Sequence, residues 1–321
     1  MAGPPEIEQR IDEIPDVQEI RNPSEAFRYL AFNLRKPPMS DLAFRRALAY
    51  VLDKEAIIDG VEGSTAFPIY SIIPPQLPFW YTDDIETWGR GMSQPERVEA
   101  AVRVLTDAGY TWTTPPQAVT DEDGEHTGEI IPGEGLTQPD GTPMPTIELL
   151  TLIHPQDMLR PVQGEWIARF AAPLGITIEP QPTEDETMIA LVTPPTADGT
   201  GWDMYTLGWG GGDPSLPCSS HRAFFAADQD AAIGAGIHTP GYDDPDFEAL
   251  SDAFDAATTE ADAQPICAEM ERNIAHNLPY IVLWTIPVSE IWRSYTELPV
   301  TQILGGTRMA PGLIAAVRLN D

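Results

Sequence analysis

The stretch FRYLAFNLRKPPMSDLAFRRALAYVLDKEAIIDG, residues 27–60, predicts a strand followed closely by a helix. Its first part, residues 27–34, is aromatic and aliphatic and ends at RKPP, which is typical of a buried strand. Ser40 and Asp41 then offer N-cap side chains, and Gly60 is expected to end the helix. The apolar stripe of this helix consists of Phe44, Leu48 and Val51.

Beyond this stretch, strand-like and helix-like segments alternate, which predicts an α/β fold. The further strands predicted are DVQEI, TIELLTLI, ITIEPQ, WDMYTLGW and YIVLWTI, with weak strand signals in the last thirty or so residues. The further helices predicted are PERVEAAVRVLTDAG, MLRPVQGEWIARFAAPLG, DETMIALV, PDFEALSDAFDAA and EADAQPICAEMERNIAHN. Ser93 and Glu96 form a capping box for the first of these, whereas Pro161 is expected to interrupt the second. Residues 64–81 are a proline-rich loop, and residues 111–145 are expected to form a hairpin and surface loop.

Charge sets limits on the partners of this chain. The 321 residues include 50 acidic and 18 basic side chains, which gives a formal net charge of −32, and only Lys36 and Lys54 are lysines. A surface this negative repels nucleic acid and anionic lipid, so neither is expected as a partner. Dispersed acid with almost no lysine predicts a protein adapted to concentrated salt, where counterions screen the repulsion.

The chain also lacks the usual sequence marks of membrane insertion or export. No run approaches the roughly twenty apolar residues that cross a bilayer. Residues 1–20 have no basic start, apolar stretch or cleavage site, so no secretory signal is expected in this chain. Either the protein stays inside the cell or this chain lacks its true beginning.

The glycine-rich loop GWGGGDPS, residues 208–215, is the main candidate for a ligand site. It carries no Lys-Ser/Thr pair and does not open into a helix, so a nucleotide phosphate is excluded. Two alternatives remain. The loop either lines a cleft, where glycines let backbone approach a ligand and Trp209 offers a flat wall, or it is a plain turn with Trp209 in the core. The residues alone favour the plain turn.

Other chemistry finds little support. Cys218 and His221 have the spacing of half a zinc site, which His238 or His154 would have to extend, but no complete ligand set follows. No catalytic motif is present, and no cofactor or metal is expected, so the pattern favours binding over catalysis. Cys218 and Cys267 either form a disulfide or remain buried thiols, and the two outcomes are equally compatible with the sequence.

Three blocks of sequence resemble the family 5 extracellular solute-binding proteins, the dipeptide-, oligopeptide- and nickel-binding components of ABC importers. They are YLAFNLRKPPMSDLAFRRALAYVLDKEAIIDGV with STAFPIYSIIPP and PERVEAAVRVLTDAGY, then PLGITIEPQ with WDMYTLGWGGGDPS, then GYDDPDFEALSDAF with AHNLPYIVLW. The resemblance implies a class II periplasmic-binding-protein-like α/β fold in which two lobes close on a solute. It implies a tail of the first lobe at 1–27, the second ligand-binding lobe at 28–286 and a C-terminal return to the first lobe at 287–321.

The resemblance also implies site residues. The family's Gly-Trp loop lines the ligand cleft. The motifs around Asn33 are interpreted first as structural, with the alternative that the strand face shared by Tyr29, Ala31 and Asn33 looks into the cleft. The positions implied are Gly208, Trp209, Gly210, Gly211, Gly212, Asp213, Asn33 and Tyr29. Peptide-binding members hold the peptide amino terminus with an aspartate three residues after the tryptophan; Gly212 stands there in this chain, and Asp213 is the nearest substitute.

The function implied is that of a solute-binding protein that delivers peptides or similar oligomeric solutes to an ABC permease outside the cytoplasm. It does no chemistry of its own. The alternative is a remnant without transport function, or half of a split protein that needs a separately encoded first lobe. Either way, this chain alone is expected to bind its solute weakly, because it supplies half of the contacts.

Overall fold

A computed structural model describes most of the chain. The described residues are 14–22, 24–61, 66–153, 159–193, 201–210, 217–297 and 318–319. The strands are β1 (Val17–Asn22), β2 (Phe27–Phe32), β3 (Phe67–Pro68), β4 (Gln117–Thr120), β5 (His126–Ile131), β6 (Ile147–Ile153), β7 (Ile178–Glu184), β8 (Met204–Trp209), β9 (Tyr280–Thr285), β10 (Val288–Arg293), β11 (Thr296–Glu297) and β12 (Arg318–Leu319). The helices are α1 (Leu42–Val51), α2 (Lys54–Val61), α3 (Gln94–Asp107), α4 (Arg160–Ala171), α5 (Asp185–Val192), α6 (Ser219–Phe225), α7 (Pro245–Ala256) and α8 (Glu260–Asn277).

A six-stranded mixed sheet organises the fold, in the order β3-β9-β2-β8-β6-β7. Strand β6 runs parallel to β7 and β8, while β2 runs antiparallel to β8 and β9. Strands β2 and β9 lie in the middle and are buried along most or all of their length, because apolar side chains cover both faces. The predicted α/β class is therefore confirmed.

Two apolar cores lie on opposite faces of this sheet. One contains Leu30 and Phe32 of β2 with the buried sides of α1 to α4. The other contains Tyr29 and Ala31 of the same strand with residues of α5 to α8. Alternate residues of β2 thus point to different cores, as the two-residue period of a strand requires.

The predicted helix over residues 42–60 is wrong in one respect, because the structure has two helices there. Asp41 caps the first, accepting a hydrogen bond from the Ala43 N–H at 2.9 Å. At Leu52 the backbone becomes extended, and Asp53 accepts from the Ala56 N–H at 3.1 Å and so begins the second. An internal Asp that caps a new helix competes with continuation of the old one.

Proline position explains a second difference. Pro161 was expected to interrupt a helix, but it occupies the first turn of α4, where its missing N–H costs no hydrogen bond. The capping box of α3 is present as predicted, with Glu96 accepting from the Ser93 N–H at 2.7 Å. Strands β4 and β5 form the hairpin predicted within residues 111–145.

Strands β1 and β10 form a separate two-stranded antiparallel ribbon, with Val17 opposite Arg293 and Asn22 opposite Val288. This ribbon falls at the two places where the sequence predicts passage between lobes, near residues 27 and 287. The domain boundaries themselves stay a prediction. Within the described residues, no helix combines the length and apolarity that crossing a bilayer requires.

Candidate functional site

A groove of about 250 Å³ lies beside the end of β8, where the glycine-rich loop begins. It is lined by Glu25, Phe27, Ile72, Ile73, Pro74, Leu77, Trp209, Gly210, Pro217, Ser220, Ala223, Phe224 and Ile237. Most of these side chains are apolar, as is usual for binding sites of small molecules. The volume is slightly below that of typical drug-sized sites, about 300–1,000 Å³, so the groove suits one large side chain of a solute.

Two chain segments form walls of this groove. The first wall is the loop segment 72–77, which follows strand β3. The second wall is helix α6 with Pro217 just before it, contributing Ala223 and Phe224. These segments are far apart in sequence and meet only through the tertiary fold.

Trp209 lies between the core and the groove. It is partly exposed, and its ring stacks on Phe224 with centroids 4.7 Å apart and an interplanar angle of 20°. The ring of Trp209 is also nearly parallel to that of Tyr29, with the two centroids 6.4 Å apart. Trp209 therefore combines both alternatives left open by the sequence, since it packs on the core and also lines a groove.

The glycines beside Trp209 have distinct roles. Gly208 pairs with Arg28 of β2, and a Cβ at Gly208 would lie 2.5 Å from the Arg28 guanidinium and 3.1 Å from the Phe27 carbonyl oxygen. Gly210 is exposed and lines the groove. The predicted contacts Gly211, Gly212 and Asp213 lie outside the described residues.

Tyr29 and Asn33 require a correction. Both side chains have 0% exposure, so the expectation that they look into a cleft is wrong for this structure. The Asn33 side-chain amide donates to the Trp202 carbonyl at 2.9 Å, and the Tyr29 hydroxyl lies 3.5 Å from that of Tyr205. Burial, followed by the neighbouring hydroxyl of Tyr205, raises the pKa of Tyr29 well above its ordinary value, so the phenol stays neutral. Both residues support the site from within the core.

Cys218, the residue just before α6, forms a disulfide with Cys267 of α8, and their Cα atoms are 5.8 Å apart. This settles the alternative that the sequence left open, and it removes Cys218 from any zinc site with His221. Among the described residues, no cluster of three or more potential metal ligands occurs. His154 lies outside the described residues.

His238 is buried and holds the segment that carries Ile237 to the groove. Its Nδ1 lies 2.8 Å from the Ala226 carbonyl oxygen, and the Tyr242 N–H donates to its Nε2 at 2.7 Å. A neutral ring with the proton on Nδ1 satisfies both bonds, whereas a second proton on Nε2 would break one. Burial, the largest cause, lowers the pKa of His238 below 6.5.

This lowered pKa predicts a specific pH dependence of stability. Below pH 6.5 the unfolded chain binds a proton at His238 that the folded chain resists, so the free energy of unfolding should fall as pH drops from about 6.5 toward the lowered value. Above pH 6.5 this contribution is constant. Denaturant unfolding in molar salt across this range measures the change. The free energy of unfolding should fall by about 1.4 kcal/mol for each unit that separates the two pKa values.

His238→Gln is the matched control, because an uncharged amide offers one donor and one acceptor at similar reach. Its unfolding free energy should change less between pH 7 and 5 than that of the wild type. Equal slopes in the two proteins would contradict the role assigned to His238.

Sequence reasoning missed several groove residues. Phe224 and Ile237 were not singled out, and Glu25 lay in a segment expected to belong to another lobe. The one available signal was the aromatic and isoleucine content of residues 64–81, which suits packing over a ligand or a core. Nothing local distinguishes Phe224 from an ordinary core phenylalanine.

Comparisons with known proteins identify the family of this chain. The family model described as "Bacterial extracellular solute-binding proteins, family 5 Middle" matches residues 1–231. The periplasmic oligopeptide-binding protein OppA of Escherichia coli K12 is 34% identical over 117 residues, which are 35% of this chain and 20% of that protein. The dipeptide-binding protein of the same organism is 28% identical over 107 residues, 32% of this chain and 19% of that protein.

Solved structures show the same fold. NikZ from Campylobacter jejuni, in complex with Ni(L-His), superposes with a TM-score of 0.71 at 16% identity and covers 95% of this chain and 55% of that one. AppA from Bacillus subtilis, in complex with a nonapeptide, gives 0.69 at 17% identity and covers 93% of this chain and 52% of that one. The chain therefore spans about half the length of the structures it matches, which is consistent with one lobe of a two-lobed protein. By its family match and its fold, the chain belongs to the family 5 bacterial extracellular solute-binding proteins.

Proposed function

We propose that this chain is the solute-binding part of an ABC importer, taking peptides or similar oligomeric solutes and delivering them to a membrane permease. The observation that carries the proposal is the apolar groove beside Trp209, at the loop that the family resemblance implies as a ligand contact. Similarity to proteins named for oligopeptide and dipeptide binding supports peptides as the solute class.

The groove offers one kind of recognition. Its aromatic side, Trp209 on Phe224, and its apolar walls suit a large hydrophobic side chain. The formal net charge of −32 disfavours an acidic solute. The preferred solute is therefore a neutral or basic peptide with a bulky apolar residue.

Binding by this chain alone is proposed to be weak. In a two-lobed protein, solute contacts on both lobes shift the equilibrium from open to closed. The walls described here supply one side, and residues 208–213 are proposed as its contacts. No chemical step is assigned to the site.

The proposed location is outside the cytoplasm. The disulfide Cys218–Cys267 supports this, because such bonds persist in oxidising compartments. The family's description as extracellular agrees.

Trp209→Ala tests the site. The variant should bind a trileucine peptide about 30-fold more weakly than the wild type, since a large aromatic anchor contributes about 2 kcal/mol or more. Calorimetry or ligand-observed NMR in molar salt, with millimolar peptide to accommodate weak binding, measures the difference.

Trp166→Ala is the control, because Trp166 lies on α4 and packs on Phe170, away from the groove. It should leave peptide affinity unchanged. A folded Trp209→Ala variant with wild-type affinity, or a wild type that binds none of a set of neutral, basic and acidic tripeptides, would overturn the proposal.

A further inference from the structure

A single buried carboxylate, Glu271 on α8, contacts both walls of the groove without lining it. Its side chain is 1% exposed. One oxygen, Oε2, accepts from the Ser71 hydroxyl at 2.8 Å and from the Ile72 N–H at 3.2 Å. The other, Oε1, accepts from the Ile73 N–H at 3.2 Å and lies 2.5 Å from Nε2 of His221.

These contacts match what a carboxylate can do. Two oxygens offer about four lone-pair sites, and the four partners of Glu271 fill them. His221, itself fully buried, must present its Nε2 as the donor. A glutamine at position 271 would accept hydrogen bonds at its oxygen and donate them at its nitrogen. Its NH₂ group would therefore lie against a backbone N–H that needs an acceptor.

The partners of Glu271 belong to both walls. Ile72 and Ile73 are in the first wall, and His221 is on α6, the second wall. The Cys218–Cys267 disulfide ties the residue just before α6 to α8, about one turn earlier. Because Phe224 follows on α6 and stacks on Trp209, any shift of that helix changes the surroundings of the Trp209 ring.

We propose that Glu271 is a positioning residue that sets the separation of the two groove walls, and with it the size of apolar side chain the groove admits. The size preference rests on the proposed function, whereas the positioning does not. Ser71 and the two backbone N–H groups fix the first wall to Glu271, and His221 fixes the second. Breaking the bonds of Glu271 to either wall should widen the groove and change the surroundings of the Trp209 ring.

Trp209 can be observed without any solute. In protein labelled with 5-fluorotryptophan, the fluorine resonance of Trp209 is identified because it is absent from the spectrum of Trp209→Phe. The acrylamide quenching of Trp209 is obtained by subtracting the fluorescence of Trp209→Phe from that of the wild type. Glu271→Gln should shift the fluorine resonance and raise the quenching of Trp209. His221→Ala should do the same, and His221→Gln, which keeps a donor of similar reach, should restore values close to wild type.

Ser71→Ala is the milder variant, and it keeps the test decisive if Glu271→Gln does not fold. It releases one bond of the first wall and leaves α6 in place, so it should move the Trp209 resonance less than His221→Ala. Asp41→Ala is the stability control: it removes the α1 cap and the acceptor of the Tyr110 hydroxyl on the opposite face of the sheet. It should lower stability without moving the Trp209 signals.

Unchanged Trp209 signals in both Glu271→Gln and His221→Ala would overturn the positioning role, as would an equal shift in Asp41→Ala. With peptides, the positioning variants should lose preference between trileucine and trialanine relative to the wild type. A wild type that binds no peptide overturns the proposed function and leaves the Trp209 measurements to decide on Glu271, so the two failures are distinguishable.

Discussion

Transfer from molar salt into dilute buffer is expected to unfold this protein. With a formal net charge of −32, carboxylates repel one another over the whole surface. The screening length is about 3 Å in 1 M salt but about 30 Å at 0.01 M, a distance comparable to the width of a domain. The melting temperature, followed by circular dichroism, should therefore rise steadily with potassium chloride concentration.

The two lysines do little to reduce the negative charge of the surface. Neither lysine is an ordinary solvated surface charge: Lys54 is 6% exposed and donates to the Ile69 carbonyl at 2.9 Å, and Lys36 forms an ion pair with Asp203. Burial, followed by nearby arginines, lowers the pKa of Lys54 well below its ordinary value. The other 16 basic residues are arginines, which together are too few to offset 50 acidic residues at low salt.

Neutralising exposed carboxylates provides the control. Glu129, Glu148 and Glu179 are exposed, and the combined change of all three to Gln removes charge without touching the core. On transfer to dilute buffer, the melting temperature of this variant should fall less than that of the wild type. A melting temperature that does not depend on salt in either protein would refute the expectation.

Loss of the Cys218–Cys267 disulfide is the second large effect expected. The bond closes a loop with a sequence separation of 49 and joins two fully buried side chains. Removing a native disulfide of this kind costs about 2–5 kcal/mol, chiefly by freeing the unfolded chain. The double variant Cys218→Ala/Cys267→Ala should show this loss in denaturant unfolding at molar salt.

Reduction of the wild type gives an independent measurement. The chain has two cysteines and no other, so a phosphine reductant acts on this bond alone. Reduced wild type should unfold at the denaturant concentration of the double variant, and the reductant should not change the double variant itself. A wild type whose stability is the same with and without reductant would show that the bond does not contribute.

Much of the secondary structure is legible from local pattern. The apolar run at 27–34, the capping box at Ser93 and the turn residues of the hairpin act over a few neighbouring residues, and each appears in the structure. The two wrong helix predictions also depend on single residues. Asp53 begins a new helix inside a continuous apolar stripe, and Pro161 falls on a permitted first turn rather than an interior position.

The site was predictable only in part. Trp209 and Gly210 attract attention because three consecutive glycines after a tryptophan are unusual in any fold. Tyr29 was assigned to the wrong surroundings, because strand alternation tells which residues share a face but not whether a helix covers that face. Here the rings of Trp209 and Tyr280 stack on Tyr29, and Phe224 and Phe225 of α6 pack on those two rings in turn.

Glu271 illustrates what no local pattern reveals. Among 50 acidic residues, it carries no mark in the sequence that separates it from solvated neighbours such as Glu269. Its burial follows from the meeting of α8 with the loop after β3, 200 residues away at Ser71, and with α6, 50 residues away at His221. The sequence by itself determined the family, the elements and the charge, because those depend on composition and short-range spacing. Only the tertiary structure decided the strand order, the disulfide, the groove and its buried carboxylate, because each depends on distances between segments that hydrophobic packing alone brings together.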